Sequence, residues 1–382
     1  MLPNHDEIRA QFPFTEKFIY FDAAHYTPYP LRSVNKLNEF ITKFTTDYLN
    51  LSLVNINQSR EFRKTCGRLL NCGAEDIIIT SNTTHGINIF ANGIKLDPND
   101  NNVAMLDSEF PAVVYPWLNQ EKLGRANVML IPSDKGYANE ALIKRTLMDF
   151  NIRVFTISLV QFLGYRHSIR NIAEFCRKRN IFLVVDAIQA TGICPVDVQE
   201  MGIDFLSTGN QKWLMSPAGL GFTYISKKYR ELINPTYAGT TNVNYNFDRF
   251  LDYKLDFKTS GEAYENSTLN TLAMIGTDEV LKYFMELGVN NIFEHIIDIQ
   301  DKVINLLDKT KYKIESDISQ EHRSNIMIFS HVNSNRNKEI QKYLEEKKIY
   351  IAVREGYLRL SPHIYNNYND AETLAEALNS FE

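Results

Sequence analysis

The chain has 382 residues, 44% hydrophobic and 23% charged, with a net charge of −5. That is an ordinary globular balance, long enough for one large and one smaller domain. With no basic block and no charge asymmetry, neither nucleic acid nor an anionic membrane is expected as a partner. Cys66, Cys72, Cys176 and Cys194 are scattered, with no CxxC pairing and no Cys/His cluster, so no metal site and no disulfide framework is expected. That usage suits a reducing cytoplasm. The opening stretch "MLPNHDEIRAQFPF" is acidic early and lacks an apolar core segment, so it does not read as a secretory signal. No window approaches the ~18 uninterrupted apolar residues of a membrane span.

In chain order, "DIIIT" (76–80) reads as a buried strand running into Ser81, Asn82, Thr83 and Thr84 at a helix start. Small hydroxyls and free amides there suit an anion, and they suit a plain helix cap equally. "NVAML" (102–106), "NVMLI" (127–131), "RVFTISLV" (153–160), "FLVVD" (182–186) and "IDFLST" (203–208) read as further buried strands. "ANEALIKRTLMDF" and "RNIAEFCRKRN" are the amphipathic helices between them. Such alternation predicts a mostly parallel sheet with helices on both faces. Ligands in such sheets bind at the carboxyl ends of strands. Asp186 ends one strand, with Gln189 three residues on, and a buried carboxylate there needs a cation or N–H partner unless it is only a cap.

"STGNQKWLMSPAGLGFTYIS" (207–226) follows, with Lys212 the only charged residue in it, before another glycine-bounded strand. A lysine at a buried strand end loses charge by desolvation and becomes a nucleophile toward carbonyls, whereas one that snorkels to water stays an ordinary cation. From about residue 256 the pattern changes. A long helical region (270–310) leads to strands "SNIMIFSHV" and "KIYIAVR" around the helix "NKEIQKYLEEKK", and "AETLAEALNSF" closes the chain as a helix. This is a second, α+β domain. An anion-binding helix start, a buried acid and an isolated lysine at three strand ends are together the requirements of pyridoxal 5'-phosphate (PLP), whose phosphate, ring nitrogen and aldehyde need those partners. No GxGxxG or GxxxxGK[ST] segment supports a nucleotide-binding alternative.

The segment 184–226 resembles the central signature of the class V aminotransferase family, the fold type I PLP enzymes that include cysteine desulfurases, isopenicillin-N epimerase-like proteins and kynureninases. "EIRAQFP…FIYFDAAHYTPYP", "TSNTTHGIN", "SEFPAVVYPWLNQ", "AYENSTLNTLA" and "REGYLRLSPHIYNNYND" are similar to further family segments, in family order and over nearly the whole chain. The resemblance implies an α/β fold with a large domain (20–255) built on a mostly parallel seven-stranded sheet, and a small α+β domain (1–19 with 256–382). It implies Lys212 as Schiff-base lysine and proton shuttle, Asp186 on the pyridinium nitrogen and Gln189 at the phenolic oxygen. Thr83, Thr84, Ser207 and Gln211 would serve the phosphate, Phe110 would stack on the ring, and Thr268 would reach the phosphate of the neighbouring subunit in a homodimer. Arg359 would clamp the substrate carboxylate, with His25 and Gln161 beside it.

Several positions depart from the family pattern. Gln211 stands where His is frequent, Ser267 where Gly is usual, and "VQFLGYR" is one residue short. His25 and His85 are expected beside the site, each as easily a structural histidine as an acid or base. Relatives that desulfurise through a persulfide use a cysteine in the C-terminal third, and this chain has none after Cys194. The sequence therefore reads as a PLP enzyme acting on an α-amino acid with a free carboxylate, with amino transfer first and a C–S lyase or an epimerase-like racemase as alternatives. A non-catalytic relative is disfavoured by the presence of Lys212, Asp186, Gln189 and Arg359 together.

Overall fold

The computed structural model describes all residues of 1–382 except Met1, Pro3, Tyr48, Tyr245, Phe247 and Phe250. Its centre is a seven-stranded sheet in the spatial order Ile77–Thr80, Gly221–Ile225, Phe205–Gly209, Phe182–Asp186, Val154–Ser158, Asn102–Leu106, Asn127–Ile131. Gly221–Ile225 runs antiparallel to both neighbours, and the other strands all point the same way. Thr80, Leu106, Ser158, Asp186 and Gly209 therefore end on one edge of the sheet.

These segments form strands because β-branched and aromatic residues fill both faces. Phe205, Val184, Val154 and Met105 pack on one face with Phe90 and Trp117 from the helices Thr83–Gly93 and Pro111–Lys122. Leu206, Val185, Ile157 and Phe222 face the other way, onto Phe62 of the helix Leu51–Leu70 and onto Met274 and Phe284 of Thr271–Leu287. The expectation that residues 127–131 are buried is corrected: Asn127–Ile131 is the sheet's outer edge, half-buried at best until Ile131.

The helical region expected at 270–310 is two helices, Thr271–Leu287 and Val289–Leu306, broken at Gly288, whose φ of 81° leaves the helical range. "KIYIAVR" likewise divides. Ile349–Tyr350 pairs in parallel with Ile19–Tyr20, and Ala352–Arg354 joins a four-stranded antiparallel sheet with Tyr357–Leu360, Met327–His331 and Tyr312–Ile314. Glu355 and Gly356, at φ 47° and 82°, make the tight hairpin turn that brings Arg359 into the middle of this sheet. Phe21 is buried in the core of this second sheet.

The first turn of Thr83–Gly93 lies directly on the main sheet because Gly86 has no side chain. A Cβ there would stand 2.1 Å from Ser207 Oγ and 2.2 Å from Thr223 Oγ1. Gly86→Ala gains about 1 kcal/mol in helix propensity but forces overpacking that costs about 1–3 kcal/mol. The expected outcome is a lower midpoint in chemical denaturation, and an unchanged or raised midpoint would show that the contact relaxes freely.

Candidate active site

The start of Thr83–Gly93 sits where the strand Ile77–Thr80 ends. Asn82, extended at φ −177°, caps the helix by accepting from the His85 amide at 2.8 Å. The amides of Thr83 and Thr84 have no intrahelical acceptor, as in any first turn. Thr83 Oγ1 is buried without a partner. A Cβ on Gly209 would lie 3.3 Å from that hydroxyl and 2.8 Å from Gln211 Oε1, so both side chains border the same small space above Gly209. Thr84 is exposed beside them. Ser207 is not brought there. It is fully buried under the helix, donates to Thr83 O at 3.0 Å and accepts from Thr223 Oγ1 at 3.0 Å. Strand alternation turns Ser207 to the same face as Phe205, against the helix, so its hydroxyl packs the scaffold and is unavailable to a phosphate. His85 is half-buried, and its Nδ1 accepts from the Ser81 amide at 3.2 Å, a local cap.

Lys212 follows the next strand end. The Thr27 hydroxyl donates to its carbonyl, and the Met215 amide donates to the same oxygen at 3.2 Å. That turn holds buried Met215 at φ 45°, an uncommon conformation for a bulky residue. The Lys212 Nζ stands 5.4 Å from the centre of the Phe110 ring. Burial pulls the amine down to about 8; Asp186 opposes the shift, while Arg359 and Arg354 reinforce it. Burial raises Asp186 to about 6 against one hydrogen bond from the Ile188 amide at 2.8 Å and the attraction of Lys212. Gln189 is locked beside them: its Oε1 accepts from Trp213 Nε1 at 2.7 Å and its Nε2 donates to Ala24 O at 3.3 Å.

Phe110 is the cap residue of Pro111–Lys122, partly exposed, with its ring edge-on to Phe162 at 5.9 Å. The residue before it, Glu109, is buried and was not singled out in the sequence. It accepts from Ser158 N at 2.9 Å, Ser158 Oγ at 2.5 Å and Gln161 Nε2 at 2.7 Å. Burial pushes it up to about 7, and the Asp186 charge adds to the shift. Gln161 is buried, its nitrogen committed to Glu109 and its Oε1 without a partner.

Arg359 is 3% exposed. Its NH2 donates to Asp22 Oδ1 at 3.0 Å, its NH1 to Phe162 O at 3.2 Å, and its Nε has no partner. His25 is exposed, with Nδ1 3.5 Å from Asp22 Oδ2. Asp22, the second residue the sequence reading passed over, thus touches both. Thr268 lies exposed on a loop, and Ser267 keeps a φ outside the left-handed region. Among the described residues no His/Cys/Asp/Glu cluster could hold a metal ion, and no helix is long and apolar enough to cross a membrane.

A comparison with known families matches aminotransferase class-V over residues 19–372. The chain belongs to the class-V aminotransferase family. PLP is the cofactor of this family, and the α/β fold with its mixed seven-stranded sheet is that of fold type I PLP enzymes. The class-V chain is 25% identical over 386 residues to an uncharacterized aminotransferase of Schizosaccharomyces pombe, covering 97% of this chain and 94% of that one. It is also 25% identical over 399 residues to a probable cysteine desulfurase of Methanothermobacter thermautotrophicus, covering 98% and 97%. Among solved structures it is similar to the apo cysteine desulfurase of Thermococcus onnurineus NA1, with TM-score 0.87, 20% identity and coverage of 99% and 98%. It is similar too to the cystine C–S lyase C-DES in complex with cysteine persulfide, with TM-score 0.89, 19% identity and coverage of 97% and 100%.

A lowered amine has a direct consequence for a class-V protein. The neutral fraction of Lys212 grows as pH rises through about 8 rather than through the ordinary lysine value. The rate at which cofactor-free protein reacts with added PLP is expected to follow that midpoint and to vanish in Lys212→Ala. A rate still rising steeply above pH 10 would mean that the amine is not desolvated.

Proposed function

We propose that the chain is a PLP-dependent aminotransferase acting on α-amino acids with a free carboxylate. The observation that carries this is the desolvated amine of Lys212, set between an aromatic ring and a buried carboxylate. The remaining donors fit the cofactor. The unpartnered Thr83 hydroxyl, the amides of Thr83 and Thr84 and the Gln211 side chain form the phosphate cradle at a helix N-terminus. Asp186 has no salt-bridge partner among the described residues and is the counter-charge for a protonated ring nitrogen. Phe110 would hold the cofactor ring by aromatic contact, and Gln189 would supply a hydrogen bond to it. PLP, when bound, withdraws electrons from the substrate α-carbon. Lys212 would hold the cofactor and serve as the base at that carbon, and Arg359 would bind the substrate carboxylate.

The reaction follows from which groups can move protons. The group that the site offers for moving a proton at the α-carbon is the lowered Lys212 amine. One shuttling amine suffices for amino transfer, whereas racemisation needs a second group on the opposite face and elimination needs an acid for the leaving group. A persulfide relay is disfavoured. Burial pushes Cys72, Cys176 and Cys194 up to about 12 and raises Cys66 well above its ordinary value, and the Cys194 thiol is tied to Asn325 Oδ1 at 3.1 Å. A homodimer completes the proposal. Thr241 links the loop of Thr268, through Glu265 O and Ser267 O, to a segment on which Leu251, Tyr253 and Leu255 are more than 70% exposed. Exposed apolar side chains of this kind and the exposed Thr268 fit an interface that carries the Thr268 hydroxyl to a neighbouring subunit.

A panel of amino acids offered to the holoenzyme is expected to yield the matching keto acid together with an aminated cofactor. Release of ammonia or sulfide without that stoichiometry would assign a lyase instead. Arg359→Ala is expected to raise KM about 10²-fold with a smaller change in kcat, as for lost binding of a buried charge. An unchanged KM for every amino acid would remove the clamp.

A further inference from the structure

Arg359 is already engaged before any substrate arrives. Asp22 takes one hydrogen bond from NH2, and the Phe162 carbonyl takes one from NH1. A guanidinium grips a carboxylate with two parallel bonds along one of two edges, Nε with NH2 or NH1 with NH2. NH2 belongs to both edges with one N–H on each, so the bond to Asp22 takes up one of the two N–H groups of the nitrogen that either grip requires. The bond is single, while the neighbouring Nε is buried and unpartnered. A buried N–H without an acceptor is an unmet demand that a second carboxylate oxygen would meet.

Asp22 cannot follow Arg359 into such a complex. Its backbone is stitched into the small sheet: it forms a parallel bridge with Ser361, Ala23 N donates to Ser361 O at 3.1 Å and Ser361 N donates to Phe21 O at 2.8 Å. Its other oxygen faces His25 Nδ1 at 3.5 Å, and its side chain keeps 13% exposure, so it retains both a polar neighbour and water when Arg359 leaves. The local field favours an added anion. Arg354 acts on both Arg359 and Lys212, and Asp22 is the acid that offsets Arg359.

We propose that Asp22 is a placeholder for the substrate carboxylate, an internal competitor that an incoming anion must displace from NH2 of Arg359. Asp22 is thereby a specificity-determining residue. It keeps a buried guanidinium compensated in the resting enzyme and admits only ligands whose carboxylate offers two acceptors in place of one. This rests on the assignment of Arg359 as the clamp.

The test is calorimetric titration of propionate, a carboxylate that lacks an amine and cannot react, into PLP-loaded wild type, D22N, D22S and R359A. Propionate binding is expected to tighten about tenfold in D22N and D22S, the weight of one charge-assisted hydrogen bond, and to be lost in R359A and in D22N/R359A. Loss in R359A with weaker or unchanged binding in the Asp22 variants would overturn the placeholder and leave the clamp standing, with Asp22 aligning Arg359. Undiminished binding in R359A would overturn both. Removing one partner of a buried pair can unfold a chain, so a crystal structure of wild-type holoenzyme with propionate provides an independent reading. The expected result is NH2 turned from Asp22 onto the ligand, and a bound propionate with the Asp22 bond intact would contradict it.

Discussion

Everything proposed for this site depends on the desolvation of one amine. Lys212 lies close enough to Asp186 to be stabilised as a cation, and in water that attraction would keep it charged. Burial outweighs it, and the two guanidinium groups nearby push in the same direction. The same burial raises Asp186 and Glu109, so the strand ends hold a lysine below its normal range and two acids above theirs. Groups poised within a few units of one another can exchange protons near neutrality, which chemistry at an α-carbon requires.

The fold achieves this by bringing strand ends from distant parts of the chain to one edge and then locking the turns that follow. Glu109 ties the turn before Phe110 to the end of Val154–Ser158 and to Gln161. Gln189 ties the turn after Asp186 to Trp213 and to Ala24. His363 stacks on Trp213 at 5.5 Å and shares a hydrogen bond with its carbonyl at 3.0 Å, joining the segment after Arg359 to the residue after Lys212. The amine and the guanidinium come from different sheets, and their separation is set by this buried chain of contacts rather than by flexible loops.

Much of this was legible in the sequence, and the limits were physical. Strands of the main sheet fall within two residues of the segments read from β-branched runs, because a strand buried on both faces leaves an unbroken apolar signature. The edge strand 127–131 carries the same signature, and periodicity could not reveal that a sheet ends there. Lys212 was legible because a lone charge before a buried strand is anomalous. Ser207 misled because a hydroxyl near a strand end looks the same whether it faces a ligand or a packed helix, and only the alternation of the strand decides. Glu109 and Asp22 were passed over for the opposite reason. Each looks like an ordinary surface acid locally, and its partners, Ser158 and Gln161 for one and Arg359 for the other, lie tens to hundreds of residues away.

The central claim is that the ε-amine of Lys212 is the group that holds the cofactor. Borohydride reduction of the PLP-loaded protein, followed by peptide mapping, tests it without knowledge of the substrate. The account predicts one pyridoxyl group per chain, on Lys212, with loss of the visible band at about 410–430 nm. A label on any other lysine, or a protein that takes up no pyridoxyl group at all, would contradict it.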